Sequence, residues 1–544
     1  MIVPARYQAE LPLDRLILAE GPGDEATPLD VLFVGAGPAG LAGAIELARL
    51  AREDGGAPIE IGVLEKAETL GAHSLSGAVV DPRAFRELFP DVPTDALPFR
   101  GPVPRDRVYM LTERGKLRIP TPPEMNNRGR HVASICEIVR WLGEKAEAAG
   151  VNLFPGFPAT ALLTEGRRVV GVRTAPNGLG RDGAPGPGYT PPSDLAASVV
   201  VLSDGTRSAL AQAWQTWHGI GAANPQIYAL GVKELWEAKS PLDVVVHTLG
   251  WPLPADTFGG SFLYPMGGNL VALGLVVGLD YRRAGLDVHA RLQQLKTHPF
   301  VRSILGGGQM VEWGAKTIPE GGYWSIPERL HGDGLVVIGD AAGLVNVAAL
   351  KGIHYAMQSG ILAARAIHAA LRRGDPSAAA LAPYDAALRA SWVFDDLRRT
   401  RNMRLAFKSG FVAGGVRAGL MSLSGGRLFG GRIPVEPDAA EPRRPGGDGR
   451  PKPDGRYTFR KVEAVFRSGN ATRDDGPSHL VVGADVPADV AEFYSHMCPA
   501  GVYERDGDRL VVHAPNCVDC KATDVLGPRW MAREGGSGPS YKRM

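Results

Sequence analysis

Three of the four cysteines in the chain stand close to its end, Cys517 and Cys520 in NCVDCKATD and Cys498 upstream in HMCPAGVYE. Two thiols at C-x-x-C spacing with a third nearby suit a metal site, where four ligands would be wanted. A C-x-x-C pair is also a redox dithiol when it opens a helix in a thioredoxin-like unit, which this tail lacks. Spacing alone leaves a metal centre short of one ligand, a redox pair and coincidence all open. The fourth cysteine, Cys136, lies in the helical apolar pattern HVASICEIVRWL and is expected to be buried packing.

A second group of residues suits a dinucleotide. In PLDVLFVGAGPAGLAGAIELARL, the apolar run Val31 to Val34 leads into Gly35, Gly37 and Gly40 at G-x-G-x-x-G spacing, and an Ala- and Leu-rich helix follows. Gly35 permits the turn, Gly37 lets backbone approach a pyrophosphate, and Gly40 lets the helix lie close to the strand. The helix start then faces the phosphates. A second strand, IEIGVLEK, ends in Glu65, placed to accept from a ribose hydroxyl. This motif does not choose between FAD and NAD. Much later, GLVVIGDAAGLVNVAALKGIHYAMQSG places Gly339 and Asp340 after another apolar strand and before a long helix. That segment resembles the second flavin-contacting motif of glutathione-reductase-like flavoproteins, which favours FAD. Between the two, Asp204 and Gly205 end a strand in VVVLSDGTRS, an ordinary strand end or the D-G-x-x-S segment of such flavoproteins.

These residues need several domains to position them, and 544 residues suffice for about three. A formal net charge of +2 argues against nucleic acid as a partner. Four cysteines in so long a chain indicate a reducing compartment. No stretch is long and apolar enough to span a membrane, and MIVPARYQAELPLDRLI lacks a secretory apolar core, so a bacterial-type chain without a targeting segment is expected. The reading is an α/β FAD domain in two parts (1–232 and 332–375) around an inserted α+β quinone-binding or substrate domain (233–331). A helical membrane-surface segment (376–435), a linker (436–455) and a C-terminal ferredoxin-like domain (456–544) follow. The Gly- and Pro-rich stretch at 174–194 is expected to be a surface loop with a turn between two strands. In the segment at 391–431, basic residues alternate with Leu, Phe and Met. It is either a solvated helical hairpin or a surface that enters lipid, with Arg398, Arg399, Arg401, Arg404 and Lys408 meeting anionic headgroups.

Taken together, LGAHSLSGAVVDPRAF, FGGSFLYPM, EWGAKTIPEGGYWSIP, GDAAGLVNVAALKGIHYAMQSG and the tail CPAGVYE…NCVDCKATD…EGGSGPSY resemble the electron transfer flavoprotein–ubiquinone oxidoreductase family over nearly the whole chain. The resemblance implies a glutathione-reductase-like FAD fold. It also implies an electron-transferring-flavoprotein dehydrogenase that passes electrons from electron transfer flavoprotein through an iron–sulfur centre and FAD to membrane ubiquinone or menaquinone. Such a protein is monotopic, at the cytoplasmic face of the inner membrane. By resemblance, Gly259 and Gly260 line the quinone pocket, with Phe258 where the family has Tyr, and Asn346 lies near the isoalloxazine.

The family holds a 4Fe-4S cluster with four cysteines, matched here by Cys498, Cys517 and Cys520. Thr523 stands in the fourth place, a hard and weakly acidic oxygen where a thiolate is wanted. A 4Fe-4S cluster with water, hydroxide or Asp524 at one iron, a 3Fe-4S cluster, and an empty module are the outcomes. A geranylgeranyl-reductase-like flavoenzyme and a flavoprotein scaffold with a decayed cluster site are the competing functions.

Overall fold

The computed structural model describes all residues of the chain other than 78, 448, 450 and 451. The apolar run at 31–34 is the buried end of strand β1 (Thr27–Val34). Helix α1 (Pro38–Glu53) leaves it directly and buries its Ala- and Leu-rich face. Strand β2 (Ile61–Glu65) pairs in parallel with β1, and strand Asn152–Pro155 pairs in parallel with β2. On the other side of β1 lie the parallel strands Asp194–Leu202 and Leu335–Val337. Buried on both faces, these strands read as unbroken Val and Leu runs, as parallel sheets require.

A second sheet has seven strands among the described residues. Its order is β3 (Gln309–Pro319), Tyr228–Glu237, Leu270–Gly278, Gly259–Pro265, Val245–Gly250, Asp106–Leu111 and Lys116–Ile119. Neighbours are antiparallel except Val245–Gly250, which runs parallel to Asp106–Leu111. The sheet expected within 233–331 thus begins at Tyr228 and takes two strands from far earlier in the chain. After β3 the chain returns to the first sheet and enters α2 (Ile353–Arg372). The two nucleotide-side helices cross closely: a Cβ on Gly360 would lie 2.2 Å from the Ala39 carbonyl oxygen.

The stretch at 174–194 is more ordered than a loop. Asn177–Leu179 and Pro185–Thr190 form a ribbon that grips the C-terminal region, where Gly178 N–H donates to Glu534 and Arg473 to the Leu179 carbonyl. The expected linker is also packed down. Residues 448, 450 and 451 lie outside the described residues, but Arg443 is fully buried and donates to the carbonyls of Leu279 and Asp438. Arg444–Gly447 pairs in parallel with Arg283–Gly285. The quinone-side sheet and the C-terminal region share one apolar core, in which Trp313, Leu273 and Val277 pack with Phe493, Met497 and Leu526.

The segment at 391–431 contains α3 (Phe411–Leu423), whose Val412, Val416, Leu420 and Leu423 are exposed. Among the described residues, no helix is long and apolar enough to cross a membrane.

Candidate active site

The turn between β1 and α1 has the geometry its glycines anticipate. Gly35 sits at φ +108°, where side chains are disfavoured. A Cβ on Gly40 would lie 2.2 Å from the Gly35 carbonyl oxygen, whereas one on Gly37 would meet nothing within 4 Å. Gly40 therefore serves packing, and Gly37 keeps open the space beside the helix start. Glu65 accepts from the backbone N–H groups of Ala36 (3.1 Å) and Ala67 (2.9 Å), which hold its carboxylate at the rim. Gly339, at φ +63°, brings the second motif against Ala39. Burial pushes the Asp340 carboxyl up to about 6.

These segments open on a cavity of about 750 Å³. Gly35, Gly37, Glu65 and Asp340 line it, as do Gly259, Gly260 and Phe258 of the second sheet and Phe411, Gly415 and Gly419 of α3. Asp204 also lines it, with its Oδ1 buried and unpartnered. The open cradle at Gly37 and the orphaned acceptor of Asp204 fit a dinucleotide whose polar edge supplies the missing contacts. At Gly259 and Gly260 the sheet's own backbone already excludes a side chain, since added Cβ atoms would lie 2.4 Å from the Val276 oxygen and 2.7 Å from the Thr248 oxygen. Beside them the Phe258 ring stacks under the Arg404 guanidinium at 3.9 Å.

Asn346 lies between Val345 and Val347, which line the cavity; its amide donates to Tyr355 and its oxygen accepts from Ala349 and Thr400. One expectation from the sequence is corrected here. Arg404 and Lys408 do not reach toward lipid. Arg404 is buried between Glu320 (2.6 Å) and Asp280 (3.0 Å), and Lys408 joins Asp280 to Glu441. Arg398 and Arg399 are exposed, and Arg401 is half-buried on the Gly430 carbonyl.

Sequence reasoning did not single out three polar groups of the cavity. Lys351 follows Asn346 in the turn before α2. His247 Nε2 lies 2.7 Å from the Tyr264 hydroxyl. Lys233, driven down to about 8 by burial, donates to the Ser76 carbonyl.

Cys498, Cys517 and Cys520 are buried and unpaired. Burial and then mutual repulsion with Cys498 and Cys517 raise the Cys520 thiol far above its usual range, and burial pushes Cys517 up to about 12. Three buried thiols that repel one another when ionised are poised for a cationic centre that displaces their protons. The fourth position does not fit: the Thr523 hydroxyl is held 2.8 Å from the Tyr503 hydroxyl and donates to the Pro528 carbonyl at 2.7 Å. Asp524 is no substitute, because its carboxylate is held by Arg207 and the Trp530 N–H. His479, Cys517 and Asp519 also converge within 4.8 Å, but Asp519 is spent on Lys66, Trp530 and Arg533. The thiol loop meets the cavity directly. Thr317 N–H on β3 donates to the Cys520 carbonyl at 2.9 Å, and Thr317 and Lys521 both line the cavity.

Residues 228–318 match the ubiquinone-binding model of ETF-QO, and residues 455–542 match the 4Fe-4S model of electron transfer flavoprotein–ubiquinone oxidoreductase. The mitochondrial electron transfer flavoprotein-ubiquinone oxidoreductase of Oryza sativa is 38% identical, over 96% of this chain and 94% of its own. The Pseudomonas aeruginosa protein of that name is 38% identical, over 96% of this chain and 100% of its own. The chain belongs to the electron transfer flavoprotein–ubiquinone oxidoreductase family. The fold extends further: a geranylgeranyl bacteriochlorophyll reductase-like protein from Thermoplasma acidophilum aligns with TM-score 0.57 at 19% identity, over 74% of this chain and 92% of its own. A flavin-dependent brominase aligns with TM-score 0.52 at 18% identity, over 74% and 94%. Within the oxidoreductase family, Thr523 makes this chain's thiol set one short of the four that the cluster type takes.

Proposed function

We propose that the chain takes electrons from reduced electron transfer flavoprotein and delivers them to ubiquinone or menaquinone held in a membrane. One observation carries the reading: the thiol loop, both nucleotide segments and the Gly259–Gly260 pair border one continuous cavity. Gly35, Gly37, Glu65 and Asp340 border the FAD site, and bound FAD supplies a centre that accepts electrons singly or in pairs. Cys498, Cys517 and Cys520 hold the iron–sulfur centre as a 3Fe-4S form, or as a 4Fe-4S form with water or hydroxide at the iron that lacks a thiolate. Lys66, Lys316, Lys521 and Arg533 surround the thiol loop and offset the negative charge of such a centre.

Attachment is to the surface of the membrane at the cytoplasmic face of the inner membrane. Phe411, Gly415 and Gly419 of α3 line the cavity, and the same helix exposes Val412, Val416, Leu420 and Leu423, an apolar surface on which lipid would bring a quinone next to the cavity. The test is anaerobic mixing of reduced electron transfer flavoprotein, the FAD-loaded chain and a short-chain ubiquinone. Quinol formed in step with oxidation of the donor is the expected result. Flavin that is bleached by the donor yet yields no quinol would favour the scaffold reading.

A further inference from the structure

Lys351 is a buried amine in the cavity with no carboxylate against it. Its residue is 5% exposed and lines the cavity, and among the described residues it forms no ion pair. Its Nζ donates to Asn127 Oδ1 at 2.6 Å and to the Ala349 carbonyl at 2.9 Å. The Asn127 amide nitrogen is committed to Asp106 Oδ1 at 2.6 Å and its backbone N–H to Asp106 Oδ2 at 2.8 Å. Asn127 can therefore offer Lys351 only its oxygen. Two of the three N–H bonds of an ammonium are thereby used, and the third is free for a group in the cavity.

The backbone is bent to put this residue there. Asn346 and Lys351 exchange both backbone hydrogen bonds, at 2.9 and 3.1 Å, and Leu350 between them sits at φ +55°. A leucine in that region is strained, and such strain collects at functional turns. The turn packs beside α3, with Ala348 against the apolar cluster that holds Met421, and Val347, Ala348 and Leu350 line the cavity.

The charged and titratable groups facing Lys351 are Asp106, Asp81 and Arg130, with His247 from the second sheet and His354 from α2. Burial is the largest influence and brings the amine down to about 7, with Arg130 lowering it and the two aspartates opposing. The neighbouring His247–Tyr264 pair is a poorer proton source, since burial drives His247 down to about 3 and leaves both partners neutral.

We propose that Lys351 is the proton donor to the quinone carbonyl oxygen that faces it, an inference that rests on the quinone-reducing function above. Quinone takes up two electrons from the electron-transfer chain and two protons. An N–H bond of the Lys351 ammonium breaks as one O–H bond forms, water on the half-exposed Asp106 side returns the proton to the amine, and solvent water supplies the proton for the other oxygen.

The experiment compares the FAD-loaded wild type with Lys351→Met and Lys351→Arg, following flavin reduction by reduced electron transfer flavoprotein separately from flavin reoxidation by a short-chain ubiquinone. Loss of a positioned proton donor costs about 100-fold or more. Reoxidation should slow by that factor in both variants, while reduction by the donor stays within about twofold. In the wild type, reoxidation should fall as pH rises through about 7, because the donor is then deprotonated, and the profile should flatten in both variants. Full reoxidation in Lys351→Arg would overturn the proposal, because a fixed positive charge would then suffice. So would an unchanged rate and pH profile in Lys351→Met. If the reduced wild type is not reoxidised by the quinone at all, the proposed function fails instead, which is a separate result.

Discussion

The backbone N–H of Thr317 donates to the carbonyl oxygen of Cys520 across 2.9 Å, so the edge of the second sheet is closed by the thiol loop. β3 is an edge strand, and an outward N–H left bare would be a pairing hazard. The same bond joins a thiol residue to a residue that lines the cavity. Thr317→Pro removes the donor at a position where an edge strand tolerates proline. The expected cost is about 1 kcal/mol of stability. Flavin reduction by reduced electron transfer flavoprotein should slow, while reduction by dithionite does not. Stopped-flow traces with both reductants check this, and equal rates with the protein donor would show that the contact has no part in electron entry.

The two glycines of the first motif should fail differently. Gly37→Ala adds a Cβ that meets nothing in the chain, so the apo-protein should melt as the wild type does, but FAD affinity should drop because the added carbon enters the space a pyrophosphate needs. Gly40→Ala puts its Cβ 2.2 Å from the Gly35 oxygen. The backbone must shift, at a cost of about 1–3 kcal/mol, with or without flavin. Melting of the apo-proteins together with FAD titration separates the two, and the reverse pattern would reject this division of roles.

What was legible in the sequence follows from range. The glycine motif is a local pattern, so its chemistry could be stated before any fold was known. The thiol spacing alone left a metal centre, a redox pair and coincidence open, and the fourth place at Thr523 came from the family resemblance. The pairing of Val245–Gly250 with Asp106–Leu111 joins distant segments, and nothing local marks it. Arg404 illustrates the same limit: a basic residue in an apolar helix reads alike whether it meets headgroups or Asp280 and Glu320. Lys351 carries no local mark either: the loop bearing Asn127 and the strand bearing His247 reach it from far along the chain.

That distinction at α3 can be measured. Val416→Glu with Leu423→Glu changes two exposed side chains, so thermal stability should hardly move, while flotation with anionic vesicles should be lost. Arg404→Met should do the opposite. It leaves Asp280 and Glu320 without their buried partner, at a cost of about 3–5 kcal/mol, and does not touch the vesicle-facing side. Vesicle binding that survives the double Glu change but is lost in a folded Arg404→Met protein would return Arg404 to the lipid surface.

Thr523 offers the most direct test of the thiol site. Its hydroxyl is committed to Tyr503 and Pro528, so an iron at the fourth corner finds no free protein ligand. The cluster of the unmodified chain should therefore lose that iron readily on oxidation and show a three-iron signal in low-temperature electron paramagnetic resonance. Thr523→Cys supplies a soft anionic ligand in its place. Two neighbours lose a hydrogen bond, at about 1 kcal/mol each. Metal binding should outweigh this loss. Iron and acid-labile sulfide per FAD should rise toward the 4Fe-4S composition, and the cluster should survive air. Flavin content should stay the same, since the nucleotide cradle lies on the other sheet. Cys517→Ala should instead abolish the cluster and stop electron entry from the protein donor. If the unmodified chain carries no iron after anaerobic reconstitution yet still reduces quinone from reduced electron transfer flavoprotein, electrons enter directly at the flavin and the thiol site has no role in the reaction.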